Sequence, residues 1–163
     1  MGSGKTTVGK LLAEKLNFTF LDLDDFIEKK YNKTIAQIFA ENGENGFREM
    51  ENLCLHEVAG FKDIVISTGG GTPCFFDNID FINKNGYSVY LKVKPEELAI
   101  RLKSGLNGVR PLIAGLNDEE LLEYITDNII KREPFYNKSQ FITQGSLNEV
   151  MLQIVSFLMN KEN

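Results

Sequence analysis

Short apolar runs alternate along the chain with segments in which apolar side chains recur every three or four residues. The short runs predict strands at residues 18–21, 64–67, 87–93 and 141–143. The first helical segment, 5–16, places Val8, Leu12 and Leu16 on one side. This alternation of strands and helices predicts an α/β fold with a mainly parallel sheet.

Capping residues mark several of the other helices. Thr34 with Gln37 three residues later is a capping-box pattern. Asn117 precedes three acidic residues, 118–120, which suit a helix N-terminus. Residues 104–115 contain three glycines and no periodicity, which predicts a mobile loop. Further helices are predicted at 34–42, 44–58, 95–103 and 147–159.

Composition limits the kind of protein that this fold can serve. The 163 residues, 42% hydrophobic and 25% charged, suit one soluble domain, and no apolar stretch is long enough to span a membrane. Cys54 and Cys74 lack the spacing of zinc or redox motifs and, without a secretion signal, indicate reduced thiols in the cytoplasm. The net charge of −5 excludes a general attraction for nucleic acid.

The first residues match the end of the phosphate-loop pattern G-x-x-x-x-G-K-[ST]. The glycines let backbone N–H groups approach phosphate oxygens, and the following helix directs its positive end at the same anion. Lys5 can reach the β- and γ-phosphates of a nucleotide, and the Thr6 hydroxyl can bind Mg²⁺. The segment consists of Gly2, Ser3, Gly4, Lys5, Thr6 and Thr7.

The first glycine of the pattern does not occur in this sequence, which begins at Met1. We expect the strand that precedes a phosphate loop to lie in the middle of the sheet and to be supplied by an upstream segment. A Gly-Ser opening is also common as an expression-tag remnant. A tag does not explain Lys5, Thr6 and Thr7 followed at once by an amphipathic helix.

Acidic side chains follow the first predicted strand. Asp22 and Asp24 are two residues apart, so both can face the crevice at the carboxyl end of the sheet. One carboxylate there can order a magnesium shell and another can accept a proton from a hydroxyl nucleophile. The alternative is that Asp24 or Asp25 only caps the following helix.

Four further features offer recognition groups. Arg48 and Glu51 share a face of a predicted helix, where the alternative is a surface ion pair. Residues 69–71 are three glycines directly after a strand, which allow a small ligand to approach the backbone unless they form only a loose turn. Arg110 lies in the predicted mobile loop and can close over a transferred phosphate. Arg132 lies near the end of a long helix, where a favourable interaction with the helix dipole is the alternative.

Taken in order, these segments resemble the shikimate kinase family over essentially the whole chain. The family pattern is a phosphate loop, F-x-D-x-D-x-x-I-E, F-R-x-x-E, G-G-G, R-P-L and an arginine followed by P-x-Y. The matching segments are 2–7, 20–28, 47–51, 69–71, 110–112 and 132–136. The resemblance implies a single three-layer α/β/α P-loop kinase domain, 1–163, with a parallel central sheet. It also implies a substrate-binding subdomain at 25–58 and a lid at 104–116.

The resemblance also implies an activity, namely transfer of the ATP γ-phosphoryl group to the 3-hydroxyl of shikimate in aromatic amino-acid synthesis. It implies that Asp24 contacts the attacking hydroxyl, that Arg48 and Arg132 bind the carboxylate, and that Arg110 closes over ATP. A glycine of the 69–71 turn, with Gly70 favoured over Gly69 and Gly71, would touch the substrate. One Mg²⁺ per subunit would accompany ATP near Thr6 and Asp22.

Other readings of the residues stay open. A gluconate kinase also uses a phosphate loop and an acidic pair, although the two arginines and the three-glycine turn favour shikimate. A nucleoside-monophosphate kinase is disfavoured because no nucleotide-acceptor signature is found. A nucleotide-binding protein without catalysis is the alternative from another class. We expect a cytoplasmic monomer that binds ATP and shikimate and has no nucleic-acid or membrane partner.

Overall fold

Two units make up the computed structural model, which describes residues 2–104 and 115–161. One unit contains residues 5–88, and the other contains residues 2–4 together with 89–104 and 115–161. Arg110 and most of the predicted lid, 104–116, lie outside the described residues.

Residues 5–88 alternate helices with two strands, as the sequence pattern predicts. The first helix and the second strand have the predicted bounds, whereas the first strand begins one residue later than predicted. The fourth helix follows the glycine turn and was not predicted, because it is only eight residues long. The elements are α1 Lys5–Leu16, β1 Thr19–Asp22, α2 Leu23–Tyr31, α3 Ile35–Val58, β2 Ile64–Ser67, a 3₁₀ turn Thr72–Cys74 and α4 Asn78–Asn85.

Two predicted helices, 34–42 and 44–58, occur as one element, α3, with a break in its middle. Gly43 has φ 67° and ψ −175°, which a helix does not contain. Thr34 begins the element with the predicted capping box: its Oγ1 accepts from the Gln37 N–H, and the Gln37 Oε1 accepts from the Thr34 N–H. The break re-aims the second half of α3, which carries Arg48 and Glu51.

The strands β1 and β2 run parallel and end side by side. Their register pairs Thr19 with Ile64 and Asp22 with Ser67. The segments that leave this edge are therefore the start of α2 and the glycine turn, 69–71. Helices α2 and α3 pack on one core, whose fully or nearly fully buried members are Leu23, Ile27, Ile38, Phe47, Cys54, Leu55 and Val58.

The second unit has the same alternation. Helices α5 and α7 have the predicted bounds. Helix α6 begins after the predicted cap Asn117, which forms a capping box with Glu120. Strand β3 is shorter than the predicted 87–93, because it pairs in parallel with only three residues of β4. The buried hydrophobic cluster of this unit consists of Leu98, Leu121 and Ile125. The elements are β3 Val89–Leu91, α5 Pro95–Lys103, α6 Asp118–Tyr136, β4 Phe141–Thr143 and α7 Leu147–Met159.

The strands among the described residues pair as β1 with β2 and as β3 with β4, rather than as one continuous sheet. The parallel direction predicted from the βα alternation is confirmed in both pairs. The described residues before α1 are Gly2, Ser3 and Gly4, and they form no strand. Within 2–104 and 115–161, no helix is long and apolar enough to cross a membrane.

Candidate active site

The phosphate-loop segment leads directly into α1. Gly2 and Gly4 have φ of 68° and 86°, in the left-handed region that glycine adopts without strain. Helix α1 begins at Lys5, and the first N–H groups of a helix have no partner within it. The N-terminus of α1 is therefore suited to bind an anion.

Thr6 and Asp22 bring two oxygen ligands together. The Thr6 Oγ1 lies 3.4 Å from the Asp22 Oδ2. The Asp22 Oδ1 accepts from the Asp24 N–H at 3.1 Å and caps α2. The alternative that Asp24 or Asp25 caps this helix is therefore wrong, and the Asp24 carboxylate is left for other contacts.

The Thr6 and Asp22 pair is suited to Mg²⁺, which takes one or two protein oxygens and completes its shell with phosphate and water. Among the described residues, no group of three or more His, Cys, Asp or Glu side chains is placed to hold a metal ion. A metal ion held by Thr6 and Asp22 would take its remaining ligands from the nucleotide and from water.

The pKa of Asp24 is raised from 3.8 to about 6. Burial is the main cause, and the negative charges of Asp22 and Glu51 act in the same direction. The positive charge of Lys5 opposes the shift. A carboxylate with this pKa is ionised at neutral pH, and it is a stronger proton acceptor than an ordinary aspartate.

Arg48 and Glu51 form a buried ion pair. The Arg48 Nη1 donates to the Glu51 Oε2 at 2.8 Å, and the two residues are 9% and 1% exposed. The interpretation as a surface ion pair is therefore wrong. The Nη2 contacts the exposed Glu44 only at 3.4 Å, and the buried Arg48 Nε has no hydrogen-bond partner among the described residues. Such a guanidinium has hydrogen-bonding capacity left for an anionic ligand.

A chain of buried polar groups holds Glu51 from behind. The Thr72 Oγ1 donates to the Glu51 Oε1 at 2.5 Å, and the Asn78 Nδ2 donates to the Thr72 carbonyl at 2.9 Å. The Asn52 Nδ2 then donates to the Asn78 Oδ1 at 2.7 Å. Sequence reasoning missed Thr72 and Asn78. Their only signal is a threonine directly after three glycines, because α4 is only eight residues long.

The glycine turn lies against all of these charged groups. A Cβ at Gly69 would lie 3.0–3.2 Å from the Glu51 Oε1, the Thr72 Oγ1 and the Asp24 Oδ1. A Cβ at Gly71 would lie only 2.5–2.7 Å from the guanidinium atoms of Arg48. The interpretation as a loose turn is therefore wrong, because the turn brings Asp24, Glu51 and Arg48 together around bare backbone.

Replacing Gly71 by alanine is expected to raise the KM for the predicted phosphoryl acceptor, a small carboxylic acid, about 10-fold or more. The reason is that the new methyl group displaces the Arg48 guanidinium. A charge-assisted hydrogen bond is worth about 1.5–3 kcal/mol. The control is Gly86→Ala, since that glycine has extended backbone and nothing within 4 Å of its Cβ position. Steady-state kinetics of both variants decide the point, and an unchanged KM in Gly71→Ala would contradict the expectation.

Two further predicted site residues, Arg132 and Arg110, do not belong to the unit of residues 5–88. Arg132 is half-buried on α6, close to its end at Tyr136, in the unit that contains residues 89–161. Arg110 lies outside the described residues. His56 is exposed and stacks on Phe81 with ring centroids 3.7 Å apart.

Comparison with known proteins gives one family. A family model described as shikimate kinase matches residues 1–160. The chain is 49% identical to the shikimate kinase of Phocaeicola vulgatus, over 94% of this chain and 87% of that one. It is 48% identical to the enzyme of Bacteroides thetaiotaomicron, over 96% of this chain and 89% of that one.

Solved structures agree with this result. A crystal structure of shikimate kinase from Bacteroides thetaiotaomicron matches with a TM-score of 0.90 and 43% identity, covering 100% of this chain and 94% of that one. Shikimate kinase from Acinetobacter baumannii in complex with shikimate matches with a TM-score of 0.83 and 36% identity, covering 99% and 89%. The predicted P-loop kinase fold and the predicted family are both confirmed, and this chain belongs to the shikimate kinase family.

Proposed function

We propose that this protein transfers the γ-phosphoryl group of ATP to the 3-hydroxyl of shikimate, in the route to aromatic amino acids. The observation that carries the proposal is the convergence of Asp24 and the buried Arg48 on one glycine turn. This arrangement offers a proton acceptor and a cation to a small molecule that has both a hydroxyl and a carboxylate.

The nucleotide binds on residues 2–7 in this proposal. Backbone N–H groups at the start of α1 and the ammonium of Lys5 hold its phosphates. The oxygens of Thr6 and Asp22 would hold one Mg²⁺ per subunit, and that ion would neutralise charge on the phosphates when bound. The positive charge of Arg110 further stabilises the negative charge on the transferred phosphoryl group.

Shikimate is oriented by its carboxylate and its hydroxyl. Arg48 and Arg132 bind the carboxylate, because a planar guanidinium matches a planar carboxylate through two parallel hydrogen bonds. The turn 69–71, chiefly Gly70, lets the ring lie against backbone. The Asp24 carboxylate accepts a hydrogen bond from the 3-hydroxyl and takes its proton as the oxygen attacks phosphorus. Positioning and charge stabilisation then account for most of the rate enhancement.

A coupled assay of ADP release with Mg-ATP tests the proposal. Shikimate, gluconate and no acceptor are compared, and shikimate-dependent ADP release is the expected result. Gluconate also has a carboxylate and hydroxyls, so it tests whether the site distinguishes the ring from an open chain. ADP release that depends on gluconate alone, or ATP binding without transfer to either acid, would contradict the proposal.

The rate is expected to depend on the ionisation of Asp24. The carboxylate accepts the proton only when ionised, and its pKa is about 6. We expect kcat/KM for shikimate to be level near neutral pH and to fall about tenfold per pH unit well below pH 6. The measurement is a pH–rate profile from pH 5 to 8, with circular dichroism as the control for folding. A profile that stays level down to pH 5 would contradict the role of Asp24.

Replacing Arg132 by alanine is expected to raise the KM for shikimate about 10- to 100-fold, through loss of a charge-assisted contact with the carboxylate. The control is Lys131→Ala, which removes an exposed cation from the neighbouring position on α6. The KM values for shikimate and ATP are measured separately. A change confined to ATP would show that Arg132 does not bind the carboxylate.

Two broader features belong to the proposal. We infer a monomer, because a kinase of this size holds its proposed site residues on one chain, and sedimentation velocity at assay concentration tests this. We also infer a cytoplasmic enzyme, since ATP is its phosphoryl donor.

A further inference from the structure

The guanidinium of Arg48 lies against aromatic side chains as well as against Glu51. Its Cζ lies 4.4 Å from the centroid of the Phe75 ring and 5.1 Å from that of the Phe47 ring. Both distances are within the range of cation–π attraction, which strengthens when the cation is shielded from water. Arg48 is 9% exposed, so water competes little with these contacts.

Few directions remain in which Arg48 can bind a ligand. The Phe75 ring covers a face of the guanidinium, Nη1 is engaged by Glu51, and the Gly71 backbone leaves no room for even one additional carbon. The Nε has no partner among the described residues, and Nη2 makes only the 3.4 Å contact with Glu44. The edge formed by Nε and Nη2 is therefore the one that can donate two parallel hydrogen bonds to a carboxylate.

The position of Phe75 is fixed by the same turn that contacts the arginine. Phe75 directly follows the 3₁₀ turn Thr72–Cys74, and its carbonyl accepts from the Asn78 N–H at 2.9 Å. The Asn78 side chain also holds the Thr72 carbonyl. Hydrogen bonds from the backbone and the side chain of Asn78 therefore hold both ends of this segment and limit how far the ring can move from Arg48.

We propose that Phe75 is a positioning residue that determines specificity for a carboxylate, by holding the Arg48 guanidinium so that its Nε–Nη2 edge meets the acid. This inference rests on the proposed binding of the shikimate carboxylate by Arg48. Phe75 itself transfers no proton and binds no phosphate. Its effect is expected in the affinity for the acid and not in the chemical step.

The adjacent phenylalanine provides a matched control. Phe76 has the same side chain but is 57% exposed, and the cation–π contacts of Arg48 among the described residues are with Phe47 and Phe75. Phe75→Leu removes the π face and keeps an apolar side chain, Phe75→Tyr keeps the π face, and Phe76→Leu makes the same change one residue away.

The expected result is a rise of about 5- to 20-fold in the KM for shikimate in Phe75→Leu. The kcat and the KM for ATP should stay within about twofold of the wild-type values. Phe75→Tyr should keep the KM for shikimate within about twofold of the wild-type value, and Phe76→Leu should leave that KM unchanged. Thermal melting of each variant checks that folding is retained. An unchanged KM in Phe75→Leu, or no rescue by Phe75→Tyr, overturns the inference.

The methyl ester of shikimate separates recognition of the charge from general packing, because it lacks the carboxylate charge. Phe75→Leu should weaken binding of shikimate and leave the KM for the ester unchanged, which narrows the preference between them about 5- to 20-fold. Equal weakening for both acceptors would show a merely structural role and would overturn the inference.

The variant Arg48→Met, alone and combined with Phe75→Leu, distinguishes failure of this inference from failure of the proposed function. Arg48→Met should raise the KM for shikimate, and adding Phe75→Leu to it should have no further effect. An unchanged KM for shikimate in Arg48→Met would contradict both the proposed binding of the carboxylate by Arg48 and the role of Phe75. A raised KM in Arg48→Met together with an unchanged KM in Phe75→Leu would overturn only the role of Phe75.

Discussion

Replacing Asp24 by asparagine is expected to lower kcat about 10²- to 10⁴-fold, the usual contribution of a positioned general base. The amide keeps the size of the side chain but cannot take the proton of the attacking hydroxyl. The acid has a pKa of about 6, raised by burial and by the charges of Asp22 and Glu51. It is therefore matched to proton transfer near neutral pH. ATP affinity should be unchanged, because the phosphates bind to other residues.

Single-turnover kinetics and a separate ATP-binding titration measure the two quantities. The control is Asp25→Asn, which removes an exposed carboxylate from the neighbouring position on α2 and should leave kcat within about twofold. A kcat close to the wild-type value in Asp24→Asn would contradict the assigned role. Loss of ATP binding in that variant would show instead that Asp24 helps to hold the nucleotide or its metal.

The same substitution should make the folded state more stable at alkaline pH. The pKa of Asp24 is raised from 3.8 to about 6, so the folded state favours the protonated acid. Its stabilising contribution is present below pH 3.8 and is lost as pH rises through about 6. At pH 8 the difference is at most about 3 kcal/mol, and partial exposure reduces it to about 1–2 kcal/mol.

Urea unfolding of Asp24→Asn at pH 8 and pH 4 measures this effect. The advantage of asparagine over the wild type should be present at pH 8 and should nearly disappear at pH 4. Greater stability with lost turnover is the pattern expected when a site holds a charge for function at a cost to folding. An asparagine variant that is less stable than the wild type at pH 8 would contradict the burial argument.

Sequence periodicity was sufficient to predict elements whose pattern is local. The bounds of α1, β2 and α5 are those predicted, because apolar spacing and helix-start residues define them within a few residues of chain. Helix α4 was missed, and the two halves of α3 on either side of Gly43 are one element in the structure.

The functional groups were found by type, and their surroundings were not. Arg48 and Glu51 were identified as neighbours on one helix face, but spacing alone does not distinguish an exposed pair from a buried one. Burial arises from the glycine turn and from Thr72, which lies 21 residues further along the chain. The cap of α2 is Asp22 and not Asp24 or Asp25, because the helix begins directly after the last residue of the strand.

Replacing Glu51 by glutamine is expected to reduce the free energy of unfolding by about 3–5 kcal/mol, the usual cost of removing one partner of a buried ion pair. Glu51 is 1% exposed and holds the Arg48 Nη1 at 2.8 Å. Glutamine keeps an oxygen that can accept from the Thr72 hydroxyl. The stability is therefore lost mainly because the Arg48 guanidinium no longer has an ionised partner. The measurement is urea unfolding with linear extrapolation.

Glu49→Gln is the control, because it makes the same change at an exposed position of α3, and it should alter stability by less than about 0.5 kcal/mol. If the cost in Glu51→Gln arises from an uncompensated buried charge, adding Arg48→Met should recover much of it, since an apolar side chain needs no partner. Additive losses in the double variant would contradict this cause and would indicate that each side chain is needed for packing. Recovery of stability without recovery of shikimate binding would show that the buried pair is kept for recognition of the acid.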